Sequence, residues 1–378
     1  MSIRSMMPAV LTPVLLLGMA PALPADESAR RFLTKPDAWF ASAEARQVAG
    51  NILSFQTSAG GWPKNADTIT EPYRGDREDL RATFDNKATV DELRFMARIF
   101  VATKDATYRR SFDKGLAYVL AAQYDNGGWP QFFPLRTGYY DHITFNDGAM
   151  VRVMELVREV GRDKTYAFVD ARTRDACRTS FDRGIACILK CQIVVDGKPT
   201  VWCAQHDEKT LAPAKARAYE LPSFSGQESV GIVRLLMSLE KPAPAVRASI
   251  EAAVEWFEIH RITGFRLDVE KDKDGKADRV MVPDPEAPAL WARFYDVCRS
   301  RRRRSSPHGF QAPPRPFSHR WCGMIATAFK EWAVICRALA SGRQRVILRK
   351  GGIVEPGGRF TVEHREFLLL PTFLHQAA

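Results

Sequence analysis

Thr83-Phe84-Asp85-Asn86 and Thr144-Phe145-Asn146-Asp147 each open an apolar-periodic stretch, and each follows a Gly-Gly-Trp-Pro string, at 60–63 and 127–130. A turn, an acidic helix start and a helix, repeated in that order, mark one supersecondary unit built more than once. If equivalent helices pack side by side, Asp85 and Asp147 reach one mouth together. Two carboxylates converging on a cleft have two chemical uses, holding a cation or working as an acid/base pair. Asn86 and Asn146 add oxygen donors to the same rim, which suits a hard cation such as calcium. Such a site also draws anionic substrates. The competing reading is local: an Asp just ahead of an apolar helical run satisfies orphan backbone donors as an ordinary N-cap.

Several cations stand near these strings. Lys64 follows the first Gly-Gly-Trp-Pro turn, where it either reaches an anionic ligand or is simply solvated. Residues 205–222 are rich in functional groups and poor in apolar ones, the composition of a long functional loop. That loop carries His206, a candidate general base, and Arg217, whose alternative is an ion pair with Glu220 or Asp207. Asp272-Lys273-Asp274-Gly275 has part of an EF-hand pattern, but Met281 stands where the closing Glu belongs, so it reads as an Asp-Gly hairpin turn. Arg279 and Arg293 follow it and are candidates for gripping carboxylates as forks.

The elements that must position these groups are mostly helical. Val90, Leu93, Met96, Ala97 and Phe100 share one face of a helix that starts near Asp85, and residues 107–123 supply its return partner. Asp147 opens a second helix, with residues 172–191 as its return. A looser third unit has Trp202 and Gln205 echoing Trp129 and Gln131, a capping box at Ser225 to Glu228, and a return helix entered after Pro244. Alternating inner and outer helices predict an all-α chain, an (α/α) toroid with irregular loops and a few short strands, near 265–269 and 279–282.

Length and charge bound the rest. The chain has 378 residues. Arg4, a short apolar run and small residues at Ala20, Ala22 and Ala25 give residues 1–25 the look of a secretory leader, too short to span a bilayer. The expectation is a periplasmic or secreted protein with no stable membrane insertion. The seven cysteines show no framework, metal or redox spacing, and Cys187 and Cys191 sit on an apolar helical side as buried thiols. From Cys298 onward Lys and Arg outnumber Asp and Glu by 15 to 4, the whole of the formal +11. Residues 1–297 are therefore balanced, and the charge gives them no nucleic-acid footprint. Beyond Asp296 no Asp occurs, and the text becomes Arg- and Pro-rich. Residues 298–378 read as an aberrant basic tail, such as a shifted reading frame yields.

Taken in order, several strings resemble the pectate lyases of polysaccharide lyase family ten. They are Gly-Gly-Trp-Pro-Lys-Asn (60–65), Thr-Phe-Asp-Asn (83–86), Gly-Gly-Trp-Pro-Gln (127–131) and Ile-Thr-Phe-Asn-Asp-Gly-Ala-Met (143–150). Trp-Cys-Ala-Gln-His-Asp (202–207), Arg-Ala-Tyr-Glu-Leu-Pro-Ser (217–223) and Leu-Trp-Ala-Arg-Phe-Tyr-Asp (290–296) continue the series. The resemblance spans about residues 30–296 and stops there, because the acidic, aromatic ending of that family is missing. It implies an (α/α) toroid that cleaves polygalacturonate by calcium-assisted β-elimination, and the chain is expected to act as a monomer. It also implies Asp85, Asn86 and Asp147 at the calcium, Arg217 as the base, and Lys64, Arg279 and Arg293 on substrate. The other expectations are a pectate-binding protein without turnover, and a glycoside hydrolase or uronate epimerase using the paired carboxylates.

Overall fold

The computed structural model describes residues 28–217, 220–271 and 277–297, together with two strand segments in the tail. Helices dominate. They are α1 (Ala43–Ser54), α2 (Val90–Thr103), α3 (Ala106–Ala121), α4 (Ala149–Arg162), α5 (Ala171–Cys191), α6 (Gly226–Met237) and α7 (Pro244–His260). The strands are short: β1 (Ile143–Thr144), β2 (Val194–Val195), β3 (Lys198–Pro199), β4 (Gln205–His206), β5 (Ser223–Ser225) and β8 (Phe294–Asp296), with a longer hairpin of β6 (Phe265–Lys271) and β7 (Ala277–Pro283). In the tail β9 (Ala328–Trp332) pairs in parallel with β10 (Leu368–Thr372). Every sheet among the described residues has two strands, and none closes.

Local chemistry sets the helix starts. Ser42, Asp105, Asp170 and Ser225 each accept a backbone N–H two or three residues on, at the heads of α1, α3, α5 and α6. Pro244 opens α7, where its missing N–H costs nothing. The apolar stripes then fold in. Val90, Leu93, Met96 and Ala97 of α2 and Val153, Leu156, Val157 and Val160 of α4 are fully buried. Successive helices pack as hairpins, α2 on α3, α4 on α5 and α6 on α7, while α4 also lies against α2 and α6.

The repeat read from Gly-Gly-Trp-Pro is written in hydrogen bonds. The indole N–H of Trp62, Trp129, Trp202 and Trp291 donates to the carbonyl of Ile52, Val119, Ile188 and Phe257 respectively. Gln56, Gln123 and Gln192 each donate Nε2 both to the following turn and to a serine carbonyl of the next return helix, Ser111, Ser180 and Ser249. Phe84 N, Phe145 N and Gly226 N donate to the carbonyls of Gln131, Ala204 and Arg293, each two residues after one of these tryptophans. This corrects one sequence equivalence: Ala204, not Gln205, occupies the place of Gln131. It also adds Trp291 as a fourth turn, which lacks the Gly-Gly and so escapes a string comparison.

Gly127 shows why the turn needs glycine. Its φ is +94°, and a Cβ there would lie 2.1 Å from the Arg183 carbonyl oxygen. β6 and β7 pair antiparallel up to Lys271 opposite Ala277, and the Asp-Gly turn expected at 272–275 lies outside the described residues. The leader at 1–25 also lies outside them, as does the tail at 298–378 apart from β9 and β10.

Candidate active site

Equivalent positions of neighbouring repeats build the site. Asp85 and Asp147 do not cap helices. Each sits in a 3-10 turn ahead of the α-helix, Asp85–Lys87 before α2 and Asn146–Gly148 before α4. Asn86 and Asp147 are both left-handed, with φ of 50°. Non-glycine residues hold that conformation at a cost, which surrounding contacts must supply. At Asp147 the contact is Arg152, whose guanidinium donates to the Asp147 carbonyl oxygen from one turn into α4. The turns carrying Asp85 and Asp147 lie against each other, as the repeat requires.

Each carboxylate meets a cation. Asp85 is only 4% exposed. Its Oδ2 accepts from the Lys64 ammonium and, at 2.6 Å, from Gln131 Nε2, while Oδ1 accepts the Asn86 N–H at 3.0 Å. Lys64 and Gln131 occupy the same repeat position, two residues after Trp62 and Trp129. Arg293 takes that position after Trp291, and its Nη2 donates to Asn146 Oδ1, Asp147 Oδ1 and Glu228 Oε1 at 3.0, 3.2 and 2.8 Å. Burial pulls the Arg293 pKa down, but Glu228 and Asp147 more than offset this and the guanidinium is held charged. Glu228 is the third repeat's counterpart of Asn86 and Asp147, and its side chain is wholly buried. Sequence reading saw Glu228 only as half of a capping box. That box exists, with Glu228 N donating to Ser225 Oγ at 3.4 Å, but the carboxylate also faces Arg293.

Arg217 Nε donates to Glu220 Oε2 at 2.8 Å, and a second guanidinium nitrogen reaches Oε1. The ion pair is therefore formed, and its loop reaches the site. A small pocket is lined by Ala216 and Glu220 of that loop together with Asn146, Ala204 and Phe294. Burial and Tyr140 push the Tyr139 phenol pKa up, and the Arg217 charge opposes them. Arg279 lies on β7 opposite Val269, and its side chain is outside the described residues.

His206 is a structural residue, not a reserve base. Its Nε2 accepts the Cys203 N–H at 3.0 Å, so Nδ1 carries the proton that goes to the Leu211 carbonyl at 2.9 Å. Burial drives its pKa down to about 4. Both nitrogens are occupied.

The site passes one test for a hard cation and meets one obstacle. The donors at Asp85, Asn86, Asn146 and Asp147 are all oxygens, and Gln131 brings a buried Oε1 without a partner next to Asp85. Against this, Lys64 and Arg293 already hold the carboxylates, so a cation there must displace or share them. The residues fit calcium on that condition. A second set of ligand-type groups was not foreseen: Asp141, His142 and Glu208 bring their ligand atoms within 4.8 Å of one another. His142 alone in a polar segment carries no sequence signal; the pairing of β1 with β4 makes the group.

Below the rim runs a charged layer that sequence periodicity could not announce. Arg94 forks onto Glu159 at 2.9 and 2.8 Å and reaches Asp91 at 3.3 Å. Glu92 is fully enclosed. Burial and the neighbouring Asp91 push its pKa up to about 8, and its Oε2 has no partner.

Comparison with known proteins places this arrangement. Residues 56–310 match the sequence model of the pectic acid lyase family, and residues 328–378 match a domain of unknown function, DUF1802. A comparison with curated proteins gave no match. Among solved structures, a family 10 polysaccharide lyase from Cellvibrio cellulosa is 32% identical, with 72% of this chain and 83% of that one covered and a TM-score of 0.58. An aspartate-to-alanine mutant of a family 10 polysaccharide lyase from the same organism, in complex with trigalacturonic acid, is likewise 32% identical, with coverage of 71% and 82% and a TM-score of 0.60. Shared turns, shared order and this identity lead to one assignment: the chain belongs to the pectic acid lyase family and is a pectate lyase of polysaccharide lyase family 10.

Proposed function

We propose that the chain cleaves polygalacturonate by calcium-assisted β-elimination, releasing unsaturated oligogalacturonates, with Arg217 as the base. The observation that carries this reading is the meeting of Asp85 and Asp147 on adjoining left-handed turns, each faced by a cation. Asp85, Asn86 and Asp147 would hold the calcium. Bound there, it supplies Lewis-acid neutralisation of a uronate carboxylate, which acidifies the neighbouring C5 proton. Lys64 and Arg293, released from the aspartates, then have their charge for substrate carboxylates, and Arg279 is assigned the same role. Trigalacturonic acid in the Cellvibrio relative is in keeping with this substrate class.

The elimination breaks the C5–H bond and then the C4–O bond, leaving a C4=C5 double bond. Arg217 must accept the C5 proton, and a guanidinium normally keeps its own until pH exceeds about 12. Glu220 favours the charged form, so substrate has to draw Arg217 off Glu220 and set it among cations that favour the neutral form. Closure of the hairpins into an (α/α) toroid places the equivalent turns on one rim. Export through residues 1–25 and action as a monomer complete the reading, with 26–297 as the catalytic unit and 298–378 outside it.

The test is ultraviolet absorbance on polygalacturonate with and without a chelator. A lyase gives an absorbing unsaturated uronate; a hydrolase or a non-catalytic binder does not. Arg217→Ala should lower kcat far more than it raises KM. Asp147 is 37% exposed, so Asp147→Ala should lose turnover while its helical spectrum persists. Full activity in a folded Asp147→Ala variant would sink the metal assignment.

A further inference from the structure

The segment from Phe132 to Asp141 carries a cation that the reaction just described does not use. Arg136 is exposed and, among the described residues, has no hydrogen-bond or ion-pair partner. It is nonetheless held in place. Its guanidinium carbon lies 5.0 Å from the Phe132 ring centre and 4.6 Å from that of Tyr140. Those two rings meet edge to face at 5.3 Å, and Tyr139 packs on Tyr140 at 4.1 Å.

The platform beneath Arg136 is fixed to the site. Phe132 is buried and bridges to Thr83, two residues before Asp85. Gln131, which donates to Asp85, also donates its backbone N–H to the Tyr140 carbonyl at 3.0 Å. The Phe132 ring also lies 5.7 Å from the Lys64 ammonium, so one aromatic ring carries both cations. At the far end of the segment, Tyr139 feels the Arg217 charge. Lys64 and Arg136 thus share the Phe132 ring, and the faces of Tyr140 and Tyr139 continue the platform from Arg136.

An unpaired guanidinium pinned by aromatic rings is a preorganised receptor for a carboxylate, because its fork loses little freedom on binding. A polymer with a carboxylate on every unit is the ligand whose charges recur along such a surface. We propose that Arg136 forms a further uronate subsite beside the reaction centre, reading the carboxylate of a neighbouring sugar whose ring lies along Tyr139 and Tyr140. This rests on the polygalacturonate reading above. Its consequence is specificity: a methyl-esterified unit loses the fork and the charge together.

The experiment is calorimetric binding of hexagalacturonate to the full chain carrying Arg217→Ala, which stops cleavage, with and without Arg136→Ala. Loss of one charge-assisted fork should weaken Kd about tenfold. Arg136→Lys, keeping the charge without the fork, should fall between. Affinity for the methyl-esterified hexamer should be unchanged, and Tm should stay with the parent. An unchanged Kd for hexagalacturonate, or an equal loss for both hexamers, would overturn the subsite. The two proposals separate cleanly. If the unsubstituted chain gives no absorbing product yet Arg136→Ala weakens binding, the elimination chemistry falls and the subsite stands. If product forms while Arg136→Ala binds as the parent does, only the subsite falls.

Discussion

Asp85→Asn separates the structural and chemical uses of the buried carboxylate that faces Lys64. The substitution keeps the shape and removes the charge. Asp85 Oδ2 now accepts from Lys64 and Gln131, and Oδ1 from the Asn86 N–H. An amide can serve only one of these sides with its oxygen, so its NH2 must face a donor on the other. That mismatch costs about 1–2 kcal/mol. Breaking a fully buried ion pair costs about 3–5 kcal/mol, but Lys64 keeps 30% of its side chain exposed and can turn to water, so its share is nearer 1 kcal/mol. The total of about 2 kcal/mol leaves a domain with the usual 5–15 kcal/mol folded at 25 °C and lowers Tm by roughly 4–8 °C. If Asp85 were only a structural acceptor, kcat at 25 °C would be untouched. If its charge holds the cation, turnover should fall by about 100-fold or more, and calcium binding measured by calorimetry with substrate present should weaken in parallel. Melting followed by circular dichroism and initial rates at 25 °C decide the matter. Wild-type kcat together with the lowered Tm would refute the metal role; an unchanged Tm would refute the contacts drawn here.

Glu228→Ala strips Arg293 of one acceptor and leaves it Asn146 and Asp147, so Tm should fall by roughly 4–8 °C for a loss of about 2 kcal/mol. Its KM should rise more than its kcat falls, and unchanged KM would show that Glu228 does not position Arg293. Two buried groups set opposite pH slopes. His206 has a folded pKa of about 4, below its unfolded value, so its contribution is full above about 6.5 and is lost as pH falls through 4. Glu92 has a folded pKa of about 8, above its unfolded value, so its contribution is full below about 4.3 and is lost as pH rises through 8. Glu92→Gln should therefore flatten a Tm–pH curve between about pH 4.3 and 8 and leave it alone below that window; an unchanged slope across the window would count against the burial assigned to Glu92. For residues 298–378, translating the gene's other two frames should recover an acidic, aromatic ending if the frame has shifted. The match of 328–378 to DUF1802 is the competing observation, and a second gene with the same in-frame junction would decide for a genuine tail domain.

Much of the site was legible in the chain because it is built by repetition. Strings such as Gly-Gly-Trp-Pro and Thr-Phe-Asp-Asn report identical local physics twice: a glycine turn with positive φ, a buried indole, an oxygen-rich turn before a helix. Some helix ends followed from caps and periodicity within a residue or two, as at 106–121 against the expected 107–123, whereas the helix expected to start near Asp85 starts at Val90, after a separate 3-10 turn. The sequence by itself also supplied the candidates for the chemistry, with Asp85, Asp147, Arg217 and Arg293 named from spacing and resemblance.

Pairing across the repeats was decided only in three dimensions. That Arg293 grips Glu228 and Asn146, more than sixty and more than a hundred residues away, depends on which carbonyl each turn donates to, and no local pattern encodes that. The register error between Gln205 and Ala204 has the same origin, since a one-residue offset in a loop changes no periodicity but exchanges the side chain presented to the site. Burial decided the rest. His206 became a fixed neutral hydrogen-bonding group, and Arg136 stayed an unpaired cation on an aromatic shelf. The charge state and freedom of a side chain depend on what surrounds it, and the surroundings come from distant parts of the chain.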